Sequence, residues 1–252
     1  MHSAPASRSR LELALAPHGL RVCGGWVPAG GDCLPGLPDA SSAAVVWMVG
    51  QTGSECWSAF SASPFYADGQ PDPMDRWAKA IGNRLAHALG GIAIYPSDGP
   101  PYYPFQRWAQ RAGPVQSSPL MLQIHPEYGL WQAYRFALAL PALLHEDARD
   151  IRPLAQRPGP GICAQCDGQP CLSACPVQAF SAGGYDVDSC AAHLQRPEGQ
   201  PCTQTGCQAR RACPVGAQHR YAPEHAAFHM ATFANKRTEV VWQASQAGCD
   251  AR

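Results

Sequence analysis

Cys163-x2-Cys166-x4-Cys171-x3-Cys175-Pro176 and Cys190-x11-Cys202-x4-Cys207-x5-Cys213-Pro214 are two consecutive cysteine runs. Both close on nearly the same phrase, Ala174-Cys175-Pro176-Val177-Gln178-Ala179 and Ala212-Cys213-Pro214-Val215-Gly216-Ala217. An internal repeat ending in Cys-Pro is the pattern of two neighbouring [4Fe–4S] clusters, in which the fourth cysteine of each run ligates the other cluster. The spacing thus assigns Cys163, Cys166, Cys171 and Cys213 to one cluster, and Cys175, Cys190, Cys202 and Cys207 to the other. The proline fixes the backbone where the chain leaves the cluster and removes one N–H donor. The gap between second and third cysteines is x4 in both runs rather than x2, and an insertion shared by both repeats argues for a tolerated loop. The competing reading is a pair of zinc sites, which also begin Cys-x2-Cys. Zinc sites seldom interleave and have no use for the repeated Cys-Pro.

Twelve cysteines in a chain of 252 residues would suit either a disulfide scaffold or metal ligation. Their distribution favours ligation, since eight crowd into the two runs and only Cys23, Cys33, Cys56 and Cys249 are scattered. Hydrophobic residues at 46% allow a packed core, and the formal net charge of zero leaves no clustered positive field for nucleic acid. The longest apolar stretches, Ala43–Gly50 and Phe136–Leu144, fall short of the roughly 18 residues of a membrane helix. No signal-peptide pattern is visible, so the expected address is cytoplasmic, with neither membrane nor nucleic acid as partner.

Ahead of the cysteine runs the chain reads as helices mixed with strands. Leu11–Leu15 closes a short helix near Gly19, and Leu20–Val27 is a strand interrupted at Gly24-Gly25. Ala43–Gly50 reads as a buried strand from Val45, Val46, Trp47 and Val49. Asp72-Pro73 predicts a capped helix start, Trp77, Ile81, Leu85, Ala88 and Leu89 recur at helical spacing, and Gly90 supplies the stop. Gly91–Tyr95 is a further strand and Phe105–Ala112 a further helix. Met121–Ile124 and Trp131–Leu140 read as two strands joined by a turn at Glu127–Gly129. A linker is expected over Asp147–Gly161, and Pro223–Gln246 as a helix folding back on the body. The fold expected is α+β, with domains at 1–158, 159–221 and 222–252.

The stretch Leu122-Gln123-Ile124-His125-Pro126-Glu127-Tyr128-Gly129-Leu130-Trp131-Gln132-Ala133-Tyr134-Arg135 resembles a segment of the cobalamin-processing family that decyanates and dealkylates vitamin B12. Epoxyqueuosine reductases and reductive dehalogenases show a related Gly-x-Trp strand. Gly25-Trp26, the helix Arg107–Gly113 and the order of the eight cysteines, including the isolated Cys190, are also similar to that group. The resemblance implies a nitroreductase-like sandwich that binds a corrinoid, followed by a bacterial ferredoxin-like two-cluster domain. It implies His125, Tyr128, Gly129, Trp131 and Tyr134 as cofactor-binding residues, and Asp98 or Tyr103 as proton donor. Cobalt would carry no protein histidine, because the phrase that supplies one is absent.

The function expected is an iron–sulfur oxidoreductase passing electrons from two [4Fe–4S] clusters to a corrinoid, for cobalamin processing or corrinoid-dependent reduction. Its partners would be an electron donor such as a flavoprotein or ferredoxin, and a corrinoid or small-molecule substrate. The alternative is a ferredoxin-like electron carrier or adaptor without its own cofactor pocket. A third option, flavin mononucleotide, needs a phosphate cradle from among Arg76, Arg84, Arg107 and Arg111. Bland readings stand beside several residues: His125 as a turn residue, and His225 and His229, one helical turn apart, as parts of an amphipathic helix rather than metal ligands.

Overall fold

The computed structural model describes residues 7–29, 32, 34–151, 161–181 and 184–247, without the side chains of 150 and 236–247. Cys33, Cys249 and most of the expected linker lie outside the described residues. The chain is α+β and divides into two compact units, one of residues 1–116 and 132–159, the other of 117–131 and 160–252. Residues 117–131 therefore pack with the cysteine runs, although the sequence reading gives them to the first domain.

In chain order the elements begin with α1 (Arg8–Leu15), β1 (Arg21–Trp26), β2 (Val45–Thr52), α2 (Trp57–Ser61) and α3 (Pro64–Ala67). Next come α4 (Pro73–Ala88), β3 (Ile92–Ile94), α5 (Phe105–Ala112), β4 (Gln116–Ser117), β5 (Gln123–Ile124) and β6 (Gln132–Leu140). The cysteine-bearing part continues with α6 (Pro170–Ser173), β7 (Phe180–Ser181), β8 (Gly184–Tyr185), α7 (Val187–Leu194), α8 (Gln200–Thr205), α9 (Gln208–Arg211) and α10 (Pro223–Ala247).

The first unit is built on a four-stranded antiparallel sheet of order β1-β2-β6-β3. β2 is buried along its whole length, so its β-branched and aromatic run has apolar cover on both faces. On one face Val46, Met48, Ala137 and Ala139 pack with Trp26, Phe105, Trp108 and Ala112, and thus with α5. The alternate residues Val49 and Phe136 point the other way. There the Phe136 ring meets Tyr95, whose hydroxyl donates to Asn83 of α4 at 2.8 Å. Gly24 is needed where it stands: its φ is +113°, and a Cβ would lie 2.1 Å from the Ala112 carbonyl oxygen. The Gly24-Gly25 interruption is thus a register shift in β1 that lets α5 approach the strand.

Two expectations need correcting. Asp72 precedes α4 as expected but adopts a left-handed conformation (φ 52°) and makes no capping hydrogen bond through its side chain. Residues 121–124 and 131–140 do not form a hairpin. β5 pairs with β4, while β6 pairs with β2 and β3. The stretch between is a tight turn closed by paired backbone bonds between His125 and Gly129, at 2.8 and 2.9 Å.

The second unit is made of short pieces. Leu120, Ile124, Leu130, Ala179 and Ala209 form its main apolar cluster together with Cys175 and Cys213. α10 packs across α8 and α7, and its Phe233 covers Leu194 and Cys202. No helix among the described residues is long and apolar enough to cross a membrane.

Candidate functional site

The eight cysteines of the two runs are free thiols, distributed over short helices and the turns between them. Burial, followed by the charges of Cys213, Cys171 and Cys166, pushes the Cys163 thiol up. Burial, then Cys213 and Cys166, does the same at Cys171. Burial also raises Cys190, with Cys175 and Cys202 adding to it, and raises Cys202, with Cys175 adding. Cys207 is raised by burial and then by Cys202 and Cys190. The sulfurs that feel one another thus fall into two sets: Cys163, Cys166, Cys171 and Cys213, and Cys175, Cys190, Cys202 and Cys207. Each set takes three thiols from one run and the fourth from the other.

The backbone meets these sulfurs. Ala179 N–H donates to Cys175 Sγ at 3.3 Å. The Cys213 thiol in turn donates to the Val215 carbonyl at 4.0 Å, and the backbone beside Cys171, Cys202 and Cys207 partly offsets the upward push of burial on those thiols. An N–H donated to sulfur favours the thiolate, while burial and mutual repulsion oppose it. Four half-buried thiols facing one another are a poor arrangement when empty of cation, and a good one around a positive charge that draws their protons off.

Among the described residues no three Cys, His, Asp or Glu side chains stand close enough together to hold a single metal ion. The donor set of each quartet, four thiols in a largely apolar shell with the Ala179 N–H on Cys175, has the chemistry of a site for a cluster or a thiophilic ion.

The residues singled out by the resemblance do not gather in one place. His125 Nδ1 accepts from the Glu127 and Tyr128 N–H groups at 3.1 and 3.2 Å, and its ring stacks on Tyr128. Gly129 (φ +57°) faces the chain just after Cys213-Pro214, where a Cβ would lie 1.9 Å from the Val215 carbonyl oxygen. Trp131 packs on Tyr221, and the Arg210 guanidinium lies over both rings at 4.6 and 4.4 Å while donating to the Leu130 carbonyl. These three residues, with Tyr128, brace the second unit itself.

Tyr134 belongs to the first unit. Arg135 is passed over in the register between β6 and β2, a bulge that turns Tyr134 onto the α5 face beside Cys23 and Tyr103. Its hydroxyl and the nearby Gln132 amide are buried without hydrogen-bond partners. Burial and the Cys23 thiol hold the phenol well above its ordinary range. Both oxygens of Asp98 are engaged, Oδ1 with Lys79 Nζ at 2.9 Å and Oδ2 with the Tyr95 N–H at 3.1 Å. Tyr103 stacks obliquely on Trp108.

Three of the four arginines weighed for a phosphate cradle are engaged elsewhere: Arg76 with Asp68, Arg84 with His18, and Arg111 with Asp32. His225 is wholly buried under Tyr221, and its Nε2 lies 3.0 Å from that of His229. Sequence reasoning missed Tyr185, whose ring stacks on Phe180, and Arg210, which ties the 117–131 segment to the cysteine runs. No spacing rule marks either. In comparison with known proteins, no family model matches the chain and no curated protein matches it significantly.

Proposed function

We propose that this chain is an iron–sulfur oxidoreductase. It holds one [4Fe–4S] cluster on Cys163, Cys166, Cys171 and Cys213 and another on Cys175, Cys190, Cys202 and Cys207, and passes electrons to a corrinoid in a nitroreductase-like first unit. The observation that carries the first part is the crossing of the two sets: Cys213 stands with the first run's thiols and Cys175 with the second's. Two separate zinc sites give no reason for that exchange. When bound, the clusters supply one-electron transfer at low potential. The thiols would hold them, the Ala179 amide would meet the negative charge on the Cys175 sulfur, and the apolar shell of Leu120, Ile124 and Leu130 would exclude water.

The corrinoid part rests on the sequence resemblance and on the unpartnered Tyr134 hydroxyl and Gln132 amide, since buried polar groups without partners mark places where a ligand or water completes the bonding. A second reading, a ferredoxin-like carrier with no cofactor pocket, is favoured by a different observation. Tyr134 packs against the unit's own aromatic core, and His125, Tyr128, Gly129 and Trp131 have structural tasks in the second unit.

Anaerobic reconstitution tests the first part. About eight irons and eight sulfides per chain are expected, about half with zinc replacing the rest is not, and Cys175→Ser and Cys213→Ser should each perturb a different cluster. Titration with cob(II)alamin separates the two readings. A spectral change lost in Tyr134→Phe supports the corrinoid site, and no change leaves the carrier.

A further inference from the structure

The N-terminal helix of the first unit is fastened by a histidine. α1 runs into a single 3₁₀ turn, Ala16–His18, that ends at Gly19 (φ 60°), whose would-be Cβ lies 2.1 Å from the Glu55 carbonyl oxygen. The turn is thus pressed against the residues just before α2, and His18 reaches α4. Its ring meets Trp77 edge-on at 6.3 Å and 82°, and its Nε2 lies 3.0 Å from Nη2 of Arg84. A guanidinium has donors only and keeps its charge, so Arg84 donates and Nε2 carries a lone pair. The bond therefore requires a neutral imidazole with its proton on Nδ1. The neighbouring charges offer an imidazolium no partner. Among the described residues, Arg84 is the charged side chain that acts on the ring. Glu12 of α1 accepts the Val22 N–H at 3.2 Å and pairs with Arg8, while Arg76 and Lys79 of α4 pair with Asp68 and Asp98. The side chains of Glu55 and of His87 on α4 are exposed.

We propose that His18 is an acid-operated latch: the neutral imidazole ties α1 to α4 through Arg84, and its protonation replaces that hydrogen bond by two facing cations and loosens the N-terminal helix. Burial, ahead of the Arg84 charge, holds the docked imidazole below its ordinary value. A detached turn therefore takes up the proton at higher pH than the docked one. The tie is fully present above the ordinary histidine range and is lost as pH falls through it. What the latch keeps covered is the rim of the sheet. α1 buries Leu11 and Leu15 (1% and 0% exposed) and lies along β1, an outer strand in the order β1-β2-β6-β3. Its Glu12 carboxylate occupies the Val22 N–H, a backbone donor of that outer strand. An uncovered strand edge presents unpaired backbone groups to other chains, so loosening α1 in acid opens this rim to pairing. The device lies within the first unit and is independent of the cluster and corrinoid readings.

The test is hydrogen exchange of the full chain at about pH 7.5 and about pH 5.5, either side of the ordinary histidine value, corrected for the intrinsic pH dependence of exchange. Protection of the α1 amides should fall by a factor of about two to five in acid, as expected of one partly exposed hydrogen-bonded pair, while β2 and β6 keep theirs. In His18→Gln the amide oxygen still accepts from Arg84 but takes up no proton, so α1 should be protected equally at both pH values. A second readout does not depend on that variant folding. Followed by NMR, the His18 ring should titrate below ordinary histidine, and Arg84→Ala, a change at an exposed position, should move its midpoint up. The proposal is overturned by α1 protection that ignores pH in the wild type. It is equally overturned by a fall that persists in His18→Gln, or by a His18 midpoint at or above the ordinary value.

Discussion

In the first unit Trp47, Met48, Phe136 and Leu138 are buried to within 1% of completeness on strands of eight and nine residues. In the second, α6 to α9 run only four to eight residues, and Cys175 and Cys213 stand in the middle of the main apolar cluster. A fully buried Leu, Phe or Met contributes roughly 1.5–3 kcal/mol through the water it sheds. The sheet of the first unit is supplied with many such groups, and the loops of the second with few. The first unit is held by the hydrophobic effect; the proposed clusters would supply the second with what its thinner core lacks.

The largest effect follows directly. Chelation of iron under anaerobic conditions should remove hydrogen-exchange protection from the amides of α7, α8 and α9 while β2 and β6 keep theirs. Equal protection in both units after iron removal would break the contrast and show that the second unit has a sufficient core of its own. The converse perturbation is Phe136→Ala. It should cost the first unit about 3–5 kcal/mol in denaturant unfolding, with no change in visible absorbance per folded molecule.

A sharper probe lies at the turn before β6. Gly129→Ala combines a positive φ with a Cβ placed 1.9 Å from the Val215 carbonyl oxygen. It should cost about 2–4 kcal/mol, the sum of backbone strain and overpacking. Gly168 also has a positive φ, +65°, but nothing within 4 Å of its would-be Cβ. Gly168→Ala should cost only about 1 kcal/mol. Similar losses for the two, measured by thermal unfolding of the iron-loaded protein, would deny the 117–131 segment its bracing role.

How far the sequence discloses these arrangements differs between the units. β2 was readable as a short continuous β-branched and aromatic run, Val45–Val49, and α4 and α5 because one-sided burial on a helix leaves a period of 3.6 that Trp77–Leu89 and Phe105–Ala112 keep. The repeated cysteine spacing was visible because it is itself a local pattern. The segment His125–Trp131 was not. Its motif was visible, but the partner that explains Gly129 is Val215, and the partner of Leu130 and Trp131 is Arg210, both more than eighty residues on or close to it. Tyr134 was named, but its face was not readable: strict alternation would place it opposite, and the bulge at Arg135 reverses that.

The two units should also part in alkaline solution. Burial, ahead of any neighbouring charge, pushes the fully buried Cys56 thiol up to about 11 from 9.0. Between those values the unfolded chain loses this proton before the folded one does, so stability falls as pH rises. The slope is about 1.4 kcal/mol per pH unit at most. Below pH 9 this contribution is constant. Cys56→Ala should flatten part of the loss between pH 9 and 11 in thermal melts followed by the sheet's signal. Cys23, pushed up to about 12 mainly by burial, titrates in the same direction and accounts for the remainder. An unaltered slope in the double variant would place the alkaline sensitivity in the cysteine runs instead.

The smallest effect concerns Asp98, where structure and chemistry give different answers to the same substitution. Its pair with Lys79 is between side chains 36% and 39% exposed, and such pairs contribute about 0.2–1 kcal/mol. Lys79→Ala should therefore cost under about 1 kcal/mol, and less at high salt. Asp98→Asn should cost a similar amount, because an amide oxygen still accepts the Tyr95 N–H that closes the turn. If Asp98 only ties the turn to α4, both variants will reduce a corrinoid or pass electrons as the parent does. If Asp98→Asn stops turnover at unchanged stability while Lys79→Ala does not, the carboxyl supplies a proton and the first unit is a reaction chamber rather than a scaffold.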